Sequence, residues 1–115
     1  QLNIFEGGIS AANQAGQINQ NFKITTANTA VFSAPTNPAA VKATLNKTLG
    51  TFNGTFSLTD GAIKRSNIAY RGVFIDAHLP TGFGRGFFVL PQKPASGTST
   101  ATTPRLSGRV ELLPD

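Results

Sequence analysis

The 115-residue sequence has no cysteine, no methionine and no tryptophan, and it holds one histidine and five acids. Without cysteine there is no disulfide, no thiolate nucleophile, no thiolate zinc site and no iron–sulfur cluster. A metal site would have to be assembled from His78 and scattered carboxylates. Glu6, Asp60, Glu111 and Asp115 are too isolated in sequence to form a carboxylate pair or a calcium loop. Charge is scarce too: 13% of residues are charged, about half the usual ~25%. A nucleic-acid protein clusters its cations to neutralise several phosphates at once. Here the net charge is +5, but Lys64–Arg65 is the one adjacent basic pair. No apolar run approaches the ~20 residues of a membrane helix. Neither nucleic acid nor membrane insertion is expected, and no cofactor or metal.

The polar residues that remain are Thr, Ser, Asn and Gln. A neutral, hydroxyl-rich surface is common on secreted and cell-surface domains, and that is the expected location. A start at Gln1 rather than Met would fit a mature or trimmed product.

The dominant hydrophobic period is two. Within Gln17–Thr26, Ile18, Phe22 and Ile24 share one face, which predicts a half-buried strand. Val41, Ala43 and Leu45 are apolar at odd positions, whereas Phe52, Phe56 and Leu58 fall on even ones. One strand cannot change parity without turning its buried face outward. The chain must therefore turn around Asn46–Gly50, with a left-handed glycine, between strands 41–46 and 51–59. Asp60-Gly61 is a second turn signal. Residues 67–76 read as a central strand, 83–90 and 106–112 as further strands. Residues 93–104, rich in Ser and Thr, read as an exposed loop. The short candidates for helix, Ala11–Gly16 and Pro38–Ala43, are too short to stand alone. The expected fold is an all-β antiparallel sandwich or barrel of about six to eight strands. Residues 1–16 would form an N-terminal strand and flexible linker, and 17–115 a single β-domain.

Few residues carry chemistry. Asp76 and His78 lie two apart on one strand face, without a nucleophile or third carboxylate to complete a site. An enzyme is therefore not expected. Gly82-Phe83-Gly84-Arg85-Gly86 lacks the spacing and following helix of a phosphate loop, and reads as a strand with glycines facing aromatics. The nine Phe residues could form a stacking platform, but exposed platforms favour Trp and Tyr, so a dry core is the expected home of Phe. Asn46 and Asn53 head Asn-x-Thr acceptor triplets for N-linked sugar, and Thr98 and Thr100 lie in a stretch suited to O-linked sugar.

Four pieces combine glycine with aromatic or β-branched residues: Leu49–Phe56, Tyr70-Arg71-Gly72-Val73, Gly84-Arg85-Gly86-Phe87-Phe88 and Ser107-Gly108-Arg109-Val110. They lie within a stretch from Leu45 to Leu113. In this the sequence resembles small β-domains found, often near the C-terminus, in large bacterial secreted and surface proteins. The resemblance implies a surface or structural module and carries over no catalytic residue.

Two functions are expected on these grounds. The first is an extracellular structural domain that associates with copies of itself. Leu2, Ile4 and Phe5 would form a strand donated to a neighbouring copy, building a fibre. The alternative is a carbohydrate- or surface-binding module with Tyr70, Arg71 and Arg85 as contacts.

Overall fold

The computed structural model describes residues 1–9, 17–27, 29–32, 37–75, 83–92 and 103–113. Among these there is no helix, and nine strands form one antiparallel sheet. They are β1 (Leu2–Glu6), β2 (Gln17–Gln20), β3 (Phe22–Ile24), β4 (Thr29–Phe32), β5 (Lys42–Asn46), β6 (Thr51–Asp60), β7 (Ile63–Phe74), β8 (Gly84–Pro91) and β9 (Arg105–Leu112). The all-β expectation is met. The count exceeds six to eight because the segment expected as one strand over 17–26 breaks at Asn21, and because Thr29–Phe32 adds a short strand.

The order across the sheet is β2-β1-β9-β8-β7-β6-β5-β4-β3. The two outermost strands, β2 and β3, are separated in sequence by Asn21 alone. Hence β2 pairs with β1 on one side while β3 pairs with β4 on the other. The two ends of the sheet meet at one residue, and the sheet rolls into a nearly closed up-and-down barrel. With β2 and β3 taken as one interrupted strand, it has the size at which side chains alone fill the interior.

Alternation directs the filling. Even positions of β6, β8 and β9 face inward: Phe52, Phe56, Leu58, Phe88, Leu90, Val110 and Leu112 are all buried. The Phe74, Phe52, Tyr70, Phe56 and Phe88 rings form a continuous series, with neighbouring centroids 5.1–6.4 Å apart. Glycines make room for it. Gly54 lies opposite Tyr70, Gly72 opposite Phe52 and Gly108 opposite Phe88. A Cβ at Gly72 or Gly108 would collide with the facing ring, and one at Gly54 with the Tyr70 ring and the Lys42 carbonyl. Aromatic rings over cross-strand glycines suit a tightly curved sheet.

The parity change around Gly50 is a turn, as expected. Asn46 pairs with Thr51, Leu49 N–H donates to Asn46 Oδ1 at 3.0 Å, and Gly50 has φ of 63°. A second parity change lies within β7. Residues Ser66 and Asn67 oppose Ser57 in a bulge, with Asn67 at φ 54°. The extra residue turns Arg65 inward on one side of the bulge and Ile68 inward on the other. Arg65 is thereby buried against Asp60, its Nη2 donating to Oδ2 at 2.5 Å and its Nη1 to the Pro91 carbonyl at 3.0 Å.

Two expectations are corrected. The N-terminal strand, expected to be donated to a neighbouring copy, pairs within its own chain. β1 is hydrogen-bonded on one side to β2 and on the other to β9, both of its own chain. Leu2 and Ile4 are wholly buried in its own core, so neither backbone edge nor apolar side chain is free to be donated. The physical reason is barrel closure: β1 bridges the final strand and the segment that joins the two ends of the sheet. Ile24, expected inside, is exposed beyond the Ile24–Ala30 pair at the end of the β3–β4 hairpin.

Candidate ligand-binding face

The outer wall of the barrel carries residues of the opposite parity. Between β6 and β9 that wall is unusually rich in arginine and apolar groups. Pairing sets Asn53 opposite Arg71, Arg71 opposite Phe87, Phe87 opposite Arg109 and Arg109 opposite Phe5. Cation and ring thus alternate across four adjacent strands. One turn along, Val73 faces Arg85 and Arg85 faces Glu111. Phe87, Val73 and Val89 are exposed, Phe87 at 55%. Phe87 shares its outward face with Val89 on β8 and with Val73 on the adjoining β7, so these three apolar side chains meet solvent together.

The wall is dished rather than flat. A hollow of about 750 Å³ spans β5 to β8, with Lys42, Thr44, Asn53, Arg71, Arg85 and Phe87 among its lining and no acid among the described residues there. A second, of about 420 Å³, lies further along β7 and β8, with Arg71, Phe87, Val89 and Arg105 in its lining and again no acid among the described residues. Arg71 and Phe87 line both.

The cations differ in how they are engaged. Arg109 makes a two-pronged bond to Glu6, at 2.9 and 2.7 Å, and its guanidinium sits 4.7 Å from the Phe5 ring centroid. Arg85 approaches Glu111 at 3.8 Å, where its own side chain is well exposed, and lies 5.8 Å from the Phe83 ring. Among the described residues Arg71 and Lys42 form no ion pair. They are uncommitted positive charges at the edge of a hollow whose described lining holds no acid.

Of the three contacts expected from sequence, Arg71 and Arg85 reach this face and Tyr70 does not. Tyr70 is 2% exposed and points into the barrel, where its hydroxyl donates to the Lys42 carbonyl at 2.8 Å. Burial pushes that hydroxyl well above the ordinary phenol range. It fixes the floor of the hollow from beneath. Phe5, expected in a donated strand, lies half-buried on the outer wall beneath Arg109. Phe87, expected in the dry core with the other phenylalanines, is instead exposed on this face, and Lys42 was not singled out by sequence. A signal for Phe87 existed, because adjacent Phe87 and Phe88 on one strand must face opposite sides. Lys42 carried none.

Asn46 and Asn53 are both exposed, Asn46 beside the β5–β6 loop and Asn53 in the larger hollow. A sugar on Asn53 would fill that hollow. Thr98 and Thr100 lie outside the described residues, as do Asp76 and His78. Among the described residues no three His, Cys, Asp or Glu side chains converge, and no helix is long and apolar enough to cross a membrane. A scan against protein-family models, a search of curated proteins and a search of solved structures each find no match to this chain.

Proposed function

We propose that this chain is a non-enzymatic recognition module of a secreted or cell-surface protein, and that it binds its ligand on the outer face of β6, β7 and β8. One observation carries this reading: the hollow in which Arg71 and Lys42, without an ion-pair partner, stand beside exposed Phe87, with no acid among its described lining. Arginine and the aromatic residues, phenylalanine included, are enriched at binding interfaces. The hydroxyl- and amide-rich remainder of the surface supports an extracellular setting. The uniformly positive hollow argues against docking of a second copy through the same face, since like charges would meet.

The test is retention on an array of immobilised neutral and acidic glycans. Wild-type protein should be retained on at least one class, and Arg71→Gln combined with Phe87→Ser should abolish that retention without lowering the melting temperature. Retention unaffected by the double variant, or no retention on any glycan, would overturn the assignment.

A further inference from the structure

We infer that the ligand is an acidic polysaccharide that runs across the strands, along the row formed by Thr44, Asn53, Arg71, Phe87 and Arg109; this rests on the binding role proposed above. The row is set by strand register, not by loops. Thr44 faces Asn53, Asn53 faces Arg71, Arg71 faces Phe87 and Phe87 faces Arg109. All five are exposed. Each step across the sheet is about 4.8 Å, so Phe87 stands one step from Arg71, and beyond it Arg109 is already bonded to Glu6. This spacing suits an extended chain of acidic sugars in which one residue sets its anionic group on Arg71 and the next lies over Phe87. The Phe87 face would pack against the apolar C–H face of that next ring, and the hydroxyl and amide of Thr44 and Asn53 would exchange hydrogen bonds with sugar hydroxyls.

Charge complementarity selects the class. Among the described residues the two hollows are lined by Lys42, Arg71, Arg85 and Arg105 and by no carboxylate, while Glu111 and Glu6 stand beside them on the wall, against Arg85 and Arg109. Arg71, uncommitted in the free protein, offers a planar fork that matches a carboxylate or sulfate with two parallel bonds. A single-stranded nucleic acid would also meet cations and rings, but it needs a groove of many cations and several open ring faces. Here Phe5 is already covered by the Arg109 guanidinium at 4.7 Å, so Phe87 is the open ring of the row.

The experiment is native electrophoresis of the full chain through gels containing polygalacturonate, dextran or an oligothymidylate, with titration calorimetry for the affinities. Polygalacturonate should retard the protein, less so as salt is raised, and dextran should not. Arg71→Gln should weaken binding by at least about tenfold, the ordinary worth of one charge-assisted hydrogen bond, and Phe87→Ser by a comparable factor through loss of the apolar packing. Lys23→Gln removes the same charge from β3, four strands away round the sheet, and should leave the affinity unchanged. Equal weakening by Lys23→Gln would overturn the inference, because binding would then report net charge alone. Equal retardation by dextran, lost in Phe87→Ser, would overturn the acidic class while sparing the binding face. Retardation by the oligothymidylate alone, or by none of the three, would also overturn it.

Discussion

Asp60 and Arg65 form an ion pair that the barrel encloses almost completely. Both side chains are 2% exposed, and Arg65 also donates to the Pro91 carbonyl at the end of β8. The pair therefore ties the β6–β7 hairpin to its other neighbour. Its Coulomb attraction is strong, but both charges have left water, and Arg65 Nε is buried without a partner. The net worth of such a pair over an apolar replacement is small or negative. Breaking it is another matter. Asp60→Ala would leave a guanidinium inside the barrel with one carbonyl for company. Removal of one partner from a buried pair costs about 3–5 kcal/mol, a large share of the roughly 5–15 kcal/mol that holds a domain together. The double change Asp60→Leu with Arg65→Met should restore stability to within about 1 kcal/mol of the parent, or exceed it. Urea denaturation of the four proteins closes the cycle. If Asp60→Ala costs less than about 1 kcal/mol, the pair behaves like a solvent-exposed one, and its enclosure, together with the bulge that turns Arg65 inward, is wrong.

Tyr70 is the sole tyrosine, which makes it a clean alkaline probe. Burial raises its ionisation range in the folded chain, while the unfolded chain ionises near pH 10. Above that pH the unfolded state gains, so stability should fall by up to about 1.4 kcal/mol per pH unit. Phenolate absorbance should appear only as the protein unfolds, and Tyr70→Phe should remove this component of the slope; an ordinary phenol titration of the folded protein would refute the burial. Deletion of residues 1–8 removes wholly buried Leu2 and Ile4 and opens the sheet between β2 and β9. The two side chains alone are worth about 3–6 kcal/mol, so the truncated chain should lose its cooperative thermal transition. A folded, cooperatively melting truncation would restore the N-terminal strand to the status of a detachable arm.

Much of this fold was legible because alternation in a barrel is a direct record of burial. The parity change at Gly50 located the β5–β6 hairpin, and Asp60-Gly61 located the next one. Sequence could not locate barrel closure. Leu2-Asn3-Ile4-Phe5 has the pattern of a strand whether it pairs within its chain or with another, since main-chain hydrogen bonding leaves no mark on side-chain order. Asn21 is the residue at which the composite strand changes partners, and nothing in its neighbours announces this. The β7 bulge hid Arg65 for a related reason: one inserted residue reverses which positions face inward, so a charged side chain enters the core at a place where simple counting assigns it to solvent. For the binding face, Arg71 and Arg85 were legible as arginines among β-formers. Tyr70 was misplaced because its parity, shared with Gly72, is that of the interior. The same parity rule explains why the glycine–aromatic pieces describe packing and not a site: Gly54, Gly72 and Gly108 sit under rings.

Packing and recognition nevertheless meet in those glycines. Gly54, Gly72 and Gly86 all lie in the wall of the larger hollow. Their missing Cβ atoms are on the inner side, where the backbone of one strand sits close to its neighbour: a Cβ on Gly72 would run into the Phe52 ring and the Arg85 carbonyl, and one on Gly86 into the Arg71 carbonyl. Strands that can sink inward leave a concavity outside. Gly72→Ala should therefore do two things at once. It should cost about 1–3 kcal/mol by overpacking, and it should weaken ligand binding although the new methyl group never touches the ligand, because the backbone carrying Arg71 and facing Arg85 must move outward. Gly50→Ala supplies the control. Gly50 has φ of 63° with open space around it, so a methyl group there costs about 1–2 kcal/mol of backbone strain and leaves the hollow intact. If Gly72→Ala destabilises the protein yet binds polygalacturonate as the parent does, the hollow owes nothing to its glycine floor, and the face recognises its ligand by side chains alone.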